Sequence, residues 1–386
     1  MKILFLNYEY PPLGGGAGNA TAYLLREYAK LSDLTVHLVT SAVGDEYSRE
    51  GIGENVIVHR LPIGKNPKNL HYQSRADLLK YSWKAYFFSR KLIRNEKDFD
   101  LIHAFFAVPC GFQAMLLGAE FRLPYLVSLR GADVPGHSER FKALYFVLKP
   151  LLRLIMRRAA RVISNSDGLK DLALETCPGL EMPVIPNGVD TEEFFPATGR
   201  IDSESVKVLV VSRLTPRKGI RFLIRSLPSL PDHVRLVIAG GGGERANLDE
   251  IADKLHVSER IDFRGLVPHE KTPDVYRECD IFCLPSLSEG MSNTVLEAIA
   301  SGLPIVATVT GGTEELVTNG ENGFFVEKES PEDLAEKIGK LASDAALRAR
   351  MGAASRTRAE NMSWGAVSAR YAETYRKSVS HSQRNK

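Results

Sequence analysis

Short apolar runs rich in β-branched residues recur along the whole chain, each followed by a stretch with helical spacing. In the first half these runs read KILFLN, TVHLVT, VIVHRL, LIHAFF, PYLVSLR, RVISNS and PVIPNG. In the second half they read VKVLVVS, VRLVIAG, IDFRG, DIFCLPS, PIVATV and GFFVE. Near-continuous apolar strands alternating with helices predict parallel sheets covered on both faces, an α/β architecture. Each half opens with a strand and then a loop bearing glycine or lysine, PPLGGGAG in one and SRLTPRKG in the other. Two doubly wound units in tandem are therefore expected, and no short-period repeat. Proline, glycine and charge replace the apolar periodicity at PNGVDTEEFFPATGRIDSES, which puts the boundary between residues 1–187 and 188–363. A last helical pattern follows at 364–376, and the nearly apolar-free tail SVSHSQRNK is expected to fray.

A length of 386 residues suits two domains of ordinary size. The net charge of +3 is unevenly spread: residues 60–170 hold 20 Lys and Arg against 8 Asp and Glu. We expect no nucleic-acid partner from this balance alone. Four cysteines without zinc-like spacing fit free thiols in a reducing compartment, with Cys279 and Cys283 as core residues. The opening MKILFLNYEY reads as a first strand instead of a signal peptide, and no apolar run is long enough to span a bilayer. A cytoplasmic location is expected. The pattern KALYFVLKPLLRLIMRRAARV interleaves apolar residues with Lys149, Arg153, Arg157, Arg158 and Arg161. It has two open readings: a helix lying on the inner face of an anionic membrane, or one burying its stripe in the first domain.

Open α/β sheets hold ligands at the carboxyl ends of their strands. Arg213 and Lys218 follow VKVLVVS in a loop kept open by Pro216 and Gly219, a placement suited to a diphosphate. After DIFCLPS comes SEGMSNTVLEAIASG, with Glu289 and Glu297 eight positions apart, about 80° around an ideal helix, so they are not one dyad. Gly290, Met291, Ser292 and Asn293 then offer N–H groups to an anion at a helix start. Glu297 either accepts from a ribose diol or forms a capping box with Thr294. In LVIAGGGGERANL, Gly241 and its neighbours would let a backbone approach a base or ribose, but the dinucleotide fingerprint is incomplete. Gly311 and Gly312 with Glu314 or Glu315 form a further candidate loop.

In the first half, Gly15, Gly16 and Gly18 open a helix and either face a ligand, with Gly15 and Gly16 candidates for a donor's phosphates or else for the acceptor, or make a structural turn. His103, Arg130, Asp133 and Asn187 are candidates for an acceptor, with His103 equally readable as a structural histidine. Asp98 and Asp100 in DFD precede a strand and read as a solvated loop, so no metal site is expected.

VIPNGVDTEEF, VSRLTPRKG, LVIAGGGG, SEGMSNTVLEAIASGLPIVAT and GGTEELV occur in the order and at the spacing found in the retaining glycosyltransferases of family four, which the chain resembles over nearly its whole length. The resemblance implies the GT-B fold, two Rossmann-like domains facing across a cleft. The first would bind the acceptor and the second the nucleotide-sugar, with the C-terminal helix, 364–386, crossing back onto the first. It implies transfer of a hexose from a nucleotide-sugar, a UDP-sugar in preference to GDP-mannose, to a saccharide or lipid-linked acceptor. The anomeric configuration would be kept, with no metal and no cofactor beyond the co-substrate. Arg213 and Lys218 match the family's pyrophosphate-binding pair, Glu289 its sugar-gripping residue and Glu297 its ribose ligand. Arg130 departs from a pattern that often has histidine there, so no mechanism using a histidine at that position is expected. An epimerase of the same fold, a non-catalytic nucleotide-sugar binder and an NAD-dependent oxidoreductase are the alternatives.

Overall fold

Every apolar run named above except PVIPNG forms a strand in the computed structural model, which describes residues 1–65, 70, 73–136, 142–197 and 205–384. PVIPNG contributes only an isolated bridge, from Val184 to Ser164, because its two prolines remove the N–H groups that a ladder requires. The chain divides into two units, Met1–Asn187 with Trp364–Lys386, and Gly188–Ser363. Residues 198–204, within the span of the second unit, lie outside the described residues.

The first unit holds β1 (Lys2–Leu6), β2 (Thr35–Ala42), β3 (Ser48–Ile52), β4 (Val56–Pro62), β5 (Leu101–Phe105), β6 (Tyr125–Ser128) and β7 (Arg161–Ile163), in the order β3-β4-β2-β1-β5-β6-β7. All pairings are parallel save that of β3 with β4, a hairpin. β3 was not expected: its sequence SREGI is polar and largely exposed at the sheet edge, so no apolar alternation marks it. The crossover helices are α1 (Gly16–Tyr28), α2 (Arg75–Glu96), α3 (Phe112–Phe121), α4 (Lys142–Arg158) and α5 (Asp167–Thr176).

The second unit is a six-stranded, all-parallel sheet of β8 (Val206–Val211), β9 (Val234–Ala239), β10 (Ile261–Gly265), β11 (Ile281–Leu284), β12 (Ile305–Thr308) and β13 (Gly323–Val326), ordered β10-β9-β8-β11-β12-β13. Its helices are α6 (Ile220–Ser226), α7 (Arg245–Lys254), α8 (Thr272–Arg277), α9 (Asn293–Ala300), α10 (Pro331–Ser343) and α11 (Ala345–Glu360). Alternation along β8 splits the core. Val208 and Val210 pack with α6, α7 and α10, while Leu209 faces the layer of α8 and α9. Winding reverses between β8 and β11 here and between β1 and β5 in the first unit, so each sheet has its switch point at its central strand pair.

The last helix, α12 (Trp364–Arg384), belongs to the first unit. Trp364 stacks on Tyr23 at 5.4 Å, and the Tyr375 hydroxyl lies 2.8 Å from that of Tyr28 and 2.7 Å from Nδ1 of His103. The helix does not fray at Ser378, because Ser378 is buried with its hydroxyl bonded to the Thr374 carbonyl, and Val379 packs on the core. Residues 385–386 of the tail lie outside the described residues.

Of the two readings open for His103, the structural histidine holds and the acceptor candidate does not. His103 sits in the middle of β5, fully buried, stacked on Phe5 at 4.6 Å and bonded through Nε2 to the Ser128 hydroxyl at 2.8 Å. It faces α12, not a ligand edge, and burial followed by the Arg130 charge pushes its pKa down to about 3. Below pH 6.5 the unfolded chain binds a proton that this folded site refuses, so stability falls with pH. The expected cost for His103 is about 2 kcal/mol between pH 7 and pH 5. Both tryptophans, Trp83 and Trp364, lie in this unit, so urea unfolding followed by tryptophan fluorescence reads it directly. His103→Gln should lower stability at pH 7 and flatten its decline toward pH 5.

Candidate functional site

In the second unit the loops after β8, β9, β11 and β12 meet along the carboxyl edge of the sheet. Gly219 has φ +66°, and a Cβ there would lie 2.0 Å from the Pro285 carbonyl. The Leu287 N–H donates to the Arg217 carbonyl at 2.8 Å, joining the loop after β8 to the loop after β11. This contact places Lys218 beside Glu289: Nζ and Oε1 form an ion pair, with the side chains 12% and 10% exposed. Arg213 lies on the same loop, exposed; its carbonyl accepts from the Thr215 N–H at 3.0 Å, while its guanidinium makes no hydrogen bond or ion pair with the described residues. A neutralised cation and an open one thus share one switch point.

The glycine run does something other than expected. Gly240 at φ +144° and Gly242 at φ +156° would carry Cβ atoms 1.8 and 2.3 Å from the carbonyls of Ser212 and Leu214. Their role is to let the loop after β9 press on the loop after β8, where Leu214 N–H donates to the Gly241 carbonyl at 2.9 Å. Gly241 itself would meet only the Leu266 side chain, and Gly243 faces open space. Gly312, at φ +150°, lets the loop after β12 approach the Gly290 carbonyl in the same manner. Glu314 is exposed, and the Glu315 carbonyl is taken by Arg358.

Ser292 is the N-cap of α9 but makes no side-chain cap; its hydroxyl lies 3.1 Å from that of Thr294. Met291 and Ser292 are buried, while Gly290 and Asn293 are half-buried. The capping box is overturned as an alternative, since Thr294 lies inside the helix and not at the cap. Glu297 instead accepts from the Tyr276 hydroxyl at 2.8 Å, one turn in, while part of the residue stays open to solvent. Burial of its carboxyl, which the Tyr276 bond opposes and the Glu193 charge reinforces, pushes its pKa up to about 7. Sequence reasoning did not single out Tyr276: it lies on a six-residue helix, and its relation to Glu297 exists only after folding.

In the first unit Gly15 and Gly16 are exposed at the start of α1, and space is open around Gly15. Gly18 is structural, since a Cβ there would lie 2.8 Å from the Leu13 carbonyl. A charge missed in the sequence stands beside them: the Gly15 N–H donates to the Glu9 carboxylate at 3.3 Å. Asp133 is buried and accepts from the backbone N–H groups of Ala107 at 2.7 Å and Arg130 at 2.9 Å. It ties the loops after β5 and β6 together, so its carboxylate is committed to backbone N–H groups. The Arg130 guanidinium lies 4.4 Å over the Phe105 ring and donates to Oδ1 of buried Asn187 at 2.7 Å, and its buried Nε has no acceptor. Burial holds its pKa below the usual arginine value.

The other sequence readings resolve as follows. Leu152, Ile155 and Met156 of α4 are buried in the first unit, while Lys149, Arg153, Leu154, Arg157 and Arg158 are exposed; the side chains of 142–147 lie outside the described residues. Asp98 and Asp100 bind Lys2, through Nζ and the backbone N–H, each at 2.8 Å. All four cysteines are free and buried. Among the described residues no His, Cys, Asp and Glu cluster is suited to a metal, and no helix is long and apolar enough to cross a membrane.

Two parallel α/β units with ligand-suited loops at their switch points define a Rossmann-like pair of the kind that binds nucleotides. The sequence matches Glycosyltransferase Family 4 over residues 14–193 and Glycosyl transferases group 1 over residues 191–358. It is 34% identical to the GDP-mannose-dependent alpha-(1-6)-phosphatidylinositol monomannoside mannosyltransferase of Mycolicibacterium smegmatis, across 96% of this chain and 97% of that one. In fold it is similar to sucrose-phosphate synthase from Thermosynechococcus elongatus, with a TM-score of 0.83, 21% identity and 98% of each chain covered. It is also similar to Anabaena HepE in complex with UDP-glucose, with a TM-score of 0.72, 22% identity, and 98% and 100% covered. The chain belongs to the group 1, family 4 glycosyltransferases, and its fold is GT-B.

Glu297 makes this site pH-sensitive. Its folded pKa lies above the unfolded value, so the folded state holds a proton that the unfolded chain releases. The stability it contributes is full below about pH 4.5 and lost as pH rises through 7, about 3 kcal/mol in all. Glu297→Gln should therefore raise the calorimetric stability of the second unit at pH 8.5 and leave it nearly unchanged at pH 5.

Proposed function

We propose that this glycosyltransferase is a metal-independent, retaining hexosyltransferase whose second unit seats the nucleotide-sugar. The observation that carries this reading is the Lys218–Glu289 pair at the switch point, with Arg213 open beside it. Only a ligand bringing both an anion for Lys218 and hydroxyl donors for Glu289 replaces both halves of the pair, and a sugar diphosphate does so. Arg213 and the uncapped start of α9, residues 290–293, add positive charge for the phosphates. Glu297, held in place by the buried Tyr276 hydroxyl, supplies the acceptor for the ribose diol, and Gly241 borders the base side.

A carboxylate held by a lysine is a weak nucleophile, which speaks against a covalent glycosyl-enzyme through Glu289. The acceptor hydroxyl then attacks on the face the diphosphate leaves, and a departing phosphate oxygen takes its proton. Lys218, Arg213 and the helix start stabilise the charge that develops on the leaving group. On the first unit, Gly15 and Gly16 with Glu9 and Arg130 form the acceptor edge, for a saccharide or a lipid-linked saccharide. Asn187 serves there by positioning Arg130.

The base is uracil or guanine. Family precedent favours uridine, whereas the whole-length mycobacterial relative is GDP-mannose-dependent. A thermal-shift comparison of UDP, GDP and their sugars tests this directly. Release of nucleoside diphosphate only when an acceptor is present separates transfer from epimerisation and from silent binding. Lys218→Ala should cut turnover by about two to three orders of magnitude. It also leaves Glu289 without its cation, so the double variant Lys218→Ala/Glu289→Ala should recover stability but not turnover. Turnover near wild type in Lys218→Ala would remove the phosphate role.

A further inference from the structure

Leu79, Trp83 and Phe87 are 72%, 70% and 44% exposed and recur every fourth residue of α2, so they form one stripe along its outer face. With Tyr47 they make up four of the nine large hydrophobic side chains exposed among the described residues. The stripe is not needed for folding, because the opposite face of α2 already buries Tyr81, Ala85, Ser89 and Ile93. Trp83 and Phe87 rest against each other at 4.7 Å and border an open, mostly apolar groove of about 550 Å³, completed by Tyr47, Leu61, Pro62, Phe88 and Lys84.

Cations surround this surface. Arg75, Lys80, Lys84 and Lys91 are exposed on the same helix. Its own acids, Asp77 and Glu96, are engaged at the two ends by Lys65 and Lys2. Glu120 is taken by Arg90 and Arg94. Asp45 and Glu46, on the loop before β3, are the acids nearest Tyr47 in the chain, and the four helix cations outnumber them. The wider segment 60–170 keeps the same sign, with 20 cations against 8 acids. A tryptophan-bearing apolar stripe ringed by lysine and arginine matches the chemistry of an anionic bilayer surface: tails for the stripe, headgroups for the cations.

We infer that the outer face of α2 docks the protein on anionic membranes through Leu79, Trp83 and Phe87. This is a different helix from α4, whose Leu152, Ile155 and Met156 are buried. α2 crosses from the carboxyl end of β4 back to β5, so its first turns lie at the sheet edge that carries Gly15 and Arg130. Docking there brings that edge to the bilayer, where a lipid-anchored acceptor is within reach. That consequence rests on the transferase reading, whereas the docking does not.

The test is co-sedimentation of the full chain with vesicles of phosphatidylcholine alone or mixed with phosphatidylglycerol. Retention is expected on the mixed vesicles at low salt and not on phosphatidylcholine alone. Emission from Trp83 should shift to the blue, while Trp364, 5% exposed, contributes no shift. Leu79→Ser/Trp83→Ser should weaken partitioning about tenfold or more, as should Lys80→Glu/Lys91→Glu. Melting temperatures should be unchanged, since these positions are exposed. Equal retention of the variants and the wild type would overturn the inference, as would no retention at low salt. A wild-type dimer in sedimentation that Leu79→Ser/Trp83→Ser dissociates would also overturn it, assigning the stripe to a second copy. Loss of vesicle binding with donor-dependent turnover intact on a soluble acceptor would separate docking from the transfer reaction.

Discussion

The second unit is organised around a lysine that cannot stand alone. Lys218 is only 12% exposed, and an ammonium so placed costs desolvation energy that a counter-charge offsets. Glu289 supplies that charge from a loop 71 residues away in sequence. The two meet because β8 and β11 are neighbours and because Gly219 lets one loop press on Pro285. Any side chain at Gly219 would drive the loops apart and leave both charges poorly compensated. Topology, one glycine and one ion pair therefore form a single dependency.

The same economy explains why the glycine-rich loops contact one another more than they contact open space. Gly240, Gly242 and Gly312 each sit where a Cβ would strike a neighbouring carbonyl. Their absent side chains stack the loops of β8, β9, β11 and β12 into one continuous edge. A ligand there would meet a backbone surface already fixed in place, which lowers the ordering cost of binding.

Much of this was legible in the sequence because it is periodic or local. Strand runs such as VKVLVVS and DIFCLPS carry their own signal, and Arg213, Lys218 and Glu289 follow them at strand ends. What escaped reading depends on contacts distant in sequence. His103 looked like a strand-end residue, yet its environment is set by Tyr375 on the last helix, 272 positions on. Asp133 looked like a free carboxylate, yet the backbone of Ala107 claims it. β3 had no apolar period to betray it, and the bond from Tyr276 to Glu297 needed two helices in register.

The two ligand edges differ in how they hold charge, and the difference bears on what each can accept. In the second unit a cation is balanced by a carboxylate from the neighbouring loop, so exchange with a bound anion leaves a carboxylate free to take up hydroxyls. In the first unit the Arg130 guanidinium is packed on Phe105 and bonded to the neutral Asn187, while the nearest loop carboxylate, Asp133, is committed to backbone N–H groups. Burial depresses the pKa of this guanidinium, and the nearby Tyr371, Asp133 and Glu9 only partly offset it. At the start of α1 the position that would attract an anion already holds Glu9. Under the proposed function, a ligand on this edge would either present hydroxyls to Glu9 or bring an anion toward Arg130. A saccharide with a phosphate nearby satisfies both, and a plain neutral sugar satisfies only the first.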